Sequence, residues 1–119
     1  MSDSSKGQRE WAFYIQDMAN FAQRIVTYTQ GLDQAAFVAN ELTYDATLRN
    51  LELIGEAATH IPDEIRQVHP EIPWRMIIAT RKRLIHAYLG IDDDIIWSVI
   101  QDDIPDLMMA LRSLIDSRG

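Results

Sequence analysis

From about Gln8 to Thr29 the side chains Trp11, Ile15, Met18, Ala22, Ile25 and Thr29 recur at spacings of 4, 3, 4, 3 and 4. That rhythm places them on one face of a first helix. A second stripe, Tyr14, Phe21 and Tyr28 at steps of seven, widens the apolar arc beyond what one neighbour covers. This helix is therefore expected to pack on two sides, one of them against another subunit. Gly31 ends it, and Asp33 is suited to cap a short helix through Phe37 and Val38.

A third helix is expected from about Asn40 to His60, with Tyr44, Leu48, Leu51, Ile54, Ala58 and Ile61 as its apolar line. Gly55 beside that line permits a close helix–helix approach at some cost in helix propensity. Asp45, Arg49, Glu52 and Glu56 form a charged line, either a solvated face with mutual ion pairs or a flank of the functional stretch. Pro62, Pro70 and Pro73 mark a connection that holds one short helix, Asp63 to Val68. A fourth main helix starts near Trp74 and stops before Gly90. Apolar spacing restarts near Asp93, and Pro105 inside that pattern predicts a kink or restart near 102–104, with Asp103 capping the final helix.

The expected fold class is all-α, an up-and-down helical bundle of four main helices plus short extra helices. Residues 1–7 read as a flexible N-terminus and 8–119 as one domain, since 119 residues are too few for two cores. With 47% hydrophobic residues, 5 Gly and 4 Pro the chain is globular. Cysteine is absent, which excludes disulfides, thiolate metal sites and a cysteine nucleophile. No apolar run has the length of a membrane span or a signal peptide, so a cytoplasmic protein without membrane attachment is expected. A net charge of −7 argues against nucleic-acid binding through the whole surface and leaves room for one local basic site.

Such a site stands out between Glu71 and Asp94. Four of the eleven basic residues, Arg75, Arg81, Lys82 and Arg83, fall within nine positions. On an ideal helix Trp74, Ile77, Ile78, Leu84, Ile85 and Tyr88 lie within about 60° of Arg81, which puts this cation amid apolar side chains. A buried guanidinium needs a carboxylate or the lip of a cleft, and Asp45, Glu52 and Glu56 are the candidate ion-pair partners if it is a carboxylate. His86 lies about 140° away, beside Arg75 and Lys82. A straight helix therefore does not aim Arg81 and His86 at one point. Either the helix loosens near Gly90, the arginine sweeps around, or the two residues meet their partners across a two-fold interface. Metal-free RNA cleavage needs a base for the 2′-hydroxyl, an acid for the leaving 5′-oxygen and a cation for the phosphate. Two copies of this stretch would supply them. His60 and His69 lack metal-protease spacing, and Asp92, Asp93, Asp94, Asp102, Asp103 and Asp106 lack EF-hand spacing. Neither a metal nor a cofactor is expected.

The segments LRNLELIGEAATHIP, from Leu48 to Pro62, and IPWRMIIATRKRLIHAYLGIDDDIIW, from Ile72 to Trp97, resemble the two characteristic blocks of HepT-like proteins of the HEPN superfamily. The most specific part is Arg81-x4-His86-x-Tyr88. The resemblance implies a homodimeric, metal-independent ribonuclease, the toxin of a type VII toxin–antitoxin pair. Its implied partner is an MntA-like nucleotidyltransferase that transfers AMP to the motif tyrosine. By position, Arg81 and His86 would be catalytic and Tyr88 the AMP acceptor; the clustered charge of Arg75, Lys82 and Arg83 makes them the expected RNA-binding support. The chain departs from the family at Lys82, where a small polar residue, most often asparagine, is usual, and at Ala79-Thr80, where Gly-Met is usual. Lys82 keeps that position polar and adds positive charge toward RNA. The alternative reading is a non-catalytic HEPN-type module that binds RNA, nucleotide or protein.

Overall fold

The apolar stripe of the first helix is the spine of the bundle. A computed structural model describes residues 2–118, with the side chains of residues 2–9, Tyr88 and Arg118 outside the described set. In it α1 spans Ser2–Thr29, about 42 Å at 1.5 Å per residue. Trp11, Ile15, Met18, Ala22, Ile25 and Thr29 are all buried, as their spacing predicts. The helix extends back to Ser2 where the sequence reading starts it near Gln8. No proline or glycine pair interrupts residues 2–9, so the backbone continues the helical turn.

Gly31, at φ 77°, takes the left-handed conformation that ends α1. Asp33 then caps α2, Gln34–Ala39, by accepting a 2.8 Å bond from the Ala36 N–H. Asn40 caps α3, Glu41–Thr59, through the Thr43 N–H at 3.0 Å. The ring of Tyr14 stacks on that of His60 at 4.6 Å, so the middle of α1 meets the C-terminal end of α3.

α4 spans Asp63–Val68. Trp74 opens α5, Trp74–Ile85, and its indole N–H donates to the carbonyls of Arg66 and His69, tying the proline-rich connection to the new helix. α5 packs on the opposite flank of α3 from α1. α6, Asp93–Ser98, passes through a π-helical segment, Val99–Asp103, into α7, Ile104–Arg118. α7 packs on α1, where the Arg112 guanidinium donates to the Gln23 side chain at 2.6 Å. The bundle order is thus α5, α3, α1, α7, an all-α arrangement of four main helices with short extras.

Pro105 does not break the last helix. Its ring would crowd the carbonyl four residues back and cannot donate to it. The chain answers by widening: the Ile104 N–H donates to the Val99 carbonyl, five residues back. Asp103 therefore lies inside a continuous helix and caps nothing, which corrects the sequence expectation. Its carboxyl is pushed above the ordinary range, first by burial and then by Asp102 and Asp106.

Candidate functional site

α5 carries Arg75, Arg81, Lys82 and Arg83 and no acidic residue. Its buried line is Ile77, Thr80 and Leu84. Thr80 fits among them by donating its hydroxyl to the Met76 carbonyl at 2.8 Å. Arg81 sits at the edge of this line and not in its middle, because Trp74 and Ile78 are only half-buried and Ile85 is 45% exposed. The apolar set read from the wheel is thus split between a core-facing line and an open flank.

Gly55 of α3 is what seats Arg81. A Cβ built on Gly55 would lie 2.3 Å from the Arg81 Cβ, 3.0 Å from its Cδ and 3.1 Å from its Cγ. No side chain fits there without moving α5. The arginine stem crosses α3 over bare backbone, and its Nε is buried without a hydrogen-bond partner. Its terminal nitrogens reach solvent, the arrangement by which long cationic side chains bury their stems and keep their charge wet.

The expected ion pairs do not form. Among the described residues Arg81 makes none with Asp45, Glu52 or Glu56; Glu52 instead pairs with Arg49 at 3.5 Å on its own helix. Those three acids lie about 60° to 100° round α3 from Gly55, on its outer face. Asp45 and Glu56 are exposed there, so the solvated-face reading of that line holds. A head left in water needs no buried counter-charge.

His86 stands where α5 stops. The last α-helical residue is Ile85, and His86 takes φ −95° and ψ 28° with its backbone N–H on the Lys82 carbonyl. A single 3₁₀ turn, Ala87–Leu89, comes next, and Gly90 at φ 110° turns the chain away. The α-helix thus loosens at His86, four residues before Gly90. His86 is exposed, and so are Arg75 and Lys82 on the same outer line. Arg83 is exposed on the other side. The backbone of Tyr88 lies in the 3₁₀ turn, and its side chain lies outside the described residues.

The nearby acids hold the frame together. Asp92 caps α6 by accepting from the Asp94 and Ile95 N–H groups. Tyr44 donates its hydroxyl to Asp93 at 2.5 Å, and Gln34 donates to Asp94 at 2.6 Å. These bonds tie the far side of the His86 loop to α2 and α3. Burial first, and then the Asp93 carboxylate, push the Tyr44 hydroxyl from 10.0 up to about 12. His60 stacks on Tyr14 and His69 bonds Glu71, so both stand apart from the cluster. Among the described residues no group of three or more His, Cys, Asp or Glu is placed to hold a metal ion, and no helix is long and apolar enough to cross a membrane.

The sequence reading did not single out the seat at Gly55 as belonging to Arg81, nor the apolar hollow beside His86 formed by Leu84, Leu89, Ile91, Ile95 and Ile96. The signals available were a glycine inside a strong helix and large apolar residues on both sides of Gly90.

Comparison with known proteins bears on this arrangement. The family model described as "Ribonuclease HepT-like" matches residues 18–114. The chain is 39% identical over 94 residues to a protein of Thermococcus cleftensis named "Probable ribonuclease HepT", covering 79% of this chain and 86% of that one. It is 31% identical over 100 residues to a protein of Methanocaldococcus jannaschii named "Putative RNase", covering 84% and 92%. A protein of Caldanaerobacter subterraneus subsp. tengcongensis with the same description is 31% identical over 102 residues, covering 86% and 91%. No solved structure matches the chain.

Proposed function

The chain belongs to the HepT-like ribonuclease family, and from that premise we propose that it is an endoribonuclease that cuts RNA without a metal ion, using Arg81 and His86. The observation that carries this reading is the seating of Arg81: its stem is locked on Gly55 while its head stays in water. It shares an acid-free cationic helix with an exposed histidine at the helix end. Such a head is held in place and is open to an incoming phosphate, which guanidinium binds in a bidentate fork.

In the proposed reaction the ribose 2′-oxygen attacks the adjacent phosphorus as its proton passes to a base. The bond from phosphorus to the 5′-oxygen breaks, and that oxygen receives a proton from an acid. The products are a 2′,3′-cyclic phosphate and a 5′-hydroxyl. Histidine is the side chain whose proton exchange lies nearest neutral pH, so His86 is assigned proton transfer. Arg81 is assigned the charge that gathers on the phosphate oxygens. One chain brings one histidine to this place, and a second copy would bring the other. The half-open apolar flank of Trp74, Ile78 and Ile85 beside Arg81 is the surface on which a two-fold partner would pack. Arg75, Lys82 and Arg83 would then guide the RNA backbone.

In this reading the protein is a cytoplasmic toxin of a type VII toxin–antitoxin pair. An MntA-like nucleotidyltransferase silences it by transferring AMP to Tyr88, two residues from His86. The added phosphate would repel RNA and the adenosine would crowd the site.

Purified protein is expected to cut RNA in the presence of EDTA. His86→Ala should lower the rate by about 10²- to 10⁴-fold with the helical circular dichroism unchanged. Full activity in that variant would remove the assignment. Light scattering should report a dimer at micromolar concentration, and intact mass after co-expression with an MntA-like nucleotidyltransferase should rise by whole AMP increments, lost in Tyr88→Phe.

A further inference from the structure

Beside His86, on the side away from the Arg75 and Lys82 line, lies a cavity of about 230 Å³ that the proposed cleavage does not use. Its floor is the buried pair Leu84 and Ile96, and its walls are Leu89, Ile91 and Ile95. Leu89 is 76% exposed, so the hollow opens directly to solvent. Arg83, His86 and Asp92 stand on the rim, and the Asp92 carboxylate there is engaged by the Asp94 and Ile95 N–H groups.

Two features narrow what this hollow suits. Its volume falls below the roughly 300 Å³ at which pockets for drug-sized ligands begin, which fits one flat ring system. Its border from Gly90 to Asp92 is non-helical backbone that turns at Gly90 and is extended at Asp92. Among the described residues, the N–H groups of Ile91 and Asp92 and the carbonyls of Gly90 and Ile91 enter no backbone hydrogen bond. Apolar walls suit a ring face, and backbone donors and acceptors left over along the border are the kind of group that bonds a ring edge when an unstacked RNA base is recognised. A cation on the rim suits the phosphate attached to it.

We infer that this cavity binds one nucleobase of the RNA, next to the phosphate at which His86 transfers a proton, and so sets the nucleotide preference of cleavage. The inference rests on the ribonuclease reading for its place in the reaction, and the experiment separates the two. Amide NMR spectra of the full chain are recorded with each of the four nucleoside 5′-monophosphates and with ribose 5-phosphate. The Gly90, Ile91 and Asp92 amides should shift with at least one nucleotide and not with the sugar phosphate. One base should bind more tightly than the rest. Leu89→Trp, at an exposed position, and Ile95→Trp both fill the hollow and should weaken that binding by about tenfold. On a randomised RNA they should flatten the nucleotide preference beside the cut. Shifts confined to Arg75 and Lys82, equal shifts with ribose 5-phosphate, or no nucleotide-induced shift, as expected of a hollow made for a partner protein's side chain, would overturn the inference. So would an unchanged preference in both tryptophan variants. Base binding without RNA cleavage would remove the ribonuclease reading and leave the cavity assignment standing.

Discussion

The two flanks of α3 are built on opposite rules. Toward α1 the helices pack through a closed core in which Ile15, Met18, Ala22 and Ile25 of α1 and Leu51, Ile54, Ala57 and Ala58 of α3 are all buried. Toward α5 the helix offers Gly55, and the space is filled by the stem of a cation whose head remains in water. The first flank excludes water to hold the bundle; the second gives up side-chain volume to carry a charge at a fixed place. Neighbouring residues on one helix thus serve stability and chemistry separately, and substitutions at each should separate the two.

Ile54→Ala should have the largest effect on stability, a loss of about 2–5 kcal/mol from removed burial and a residual cavity. Denaturant titration measures it, and RNA cleavage per folded molecule should stay at the wild-type level. Gly55→Ala should cost about 1–3 kcal/mol through overpacking. Cleavage should nonetheless fall by about 10²-fold, since displacement near 1 Å is enough to misplace a reacting group. If both variants lose activity only in proportion to unfolded protein, the contrast between the flanks is wrong.

Tyr44→Phe should cost about 1.5 kcal/mol by deleting the bond to the Asp93 carboxylate. Because the Tyr44 hydroxyl ionises near 10.0 in its ordinary state and at about 12 in the fold, the bond contributes fully below pH 10. Its contribution is lost as pH rises toward 12. Stability of the wild type should fall over that window more steeply than that of Tyr44→Phe, as chemical denaturation across pH would show. Arg49→Ala should be the mildest change, at most about 0.5 kcal/mol, because the Arg49–Glu52 pair lies on the solvated face. A larger loss would mean that the charged line does more than face water.

How much of this was open to reading depends on the range of the interaction involved. The buried stripe of α1, the Asp33 cap and the short helix Asp63–Val68 arise from neighbours within a turn, and all three appear as expected. The break at Pro105 did not, because a proline's missing donor can be absorbed by a π turn as well as by a kink. At the site, the crowding of cations and the odd angle between Arg81 and His86 were visible as a local pattern. The ion pairs assigned to Arg81 were not correct, because charge arithmetic alone does not show whether a guanidinium is enclosed or only its stem is.

The sequence by itself determined that this is a helical bundle, where its main helices run and which faces they bury. It also concentrated the positive charge of an acidic chain on one helix. These are consequences of periodicity and propensity, which act over three or four residues. Only the tertiary structure decided that Gly55 lies under Arg81, that α5 stops at Ile85 and leaves His86 exposed, and that a hollow opens beside it. Those features arise where α3, α5 and α6 come together. Atoms distant along the chain share volume there, and volume exclusion leaves no periodic trace in a sequence.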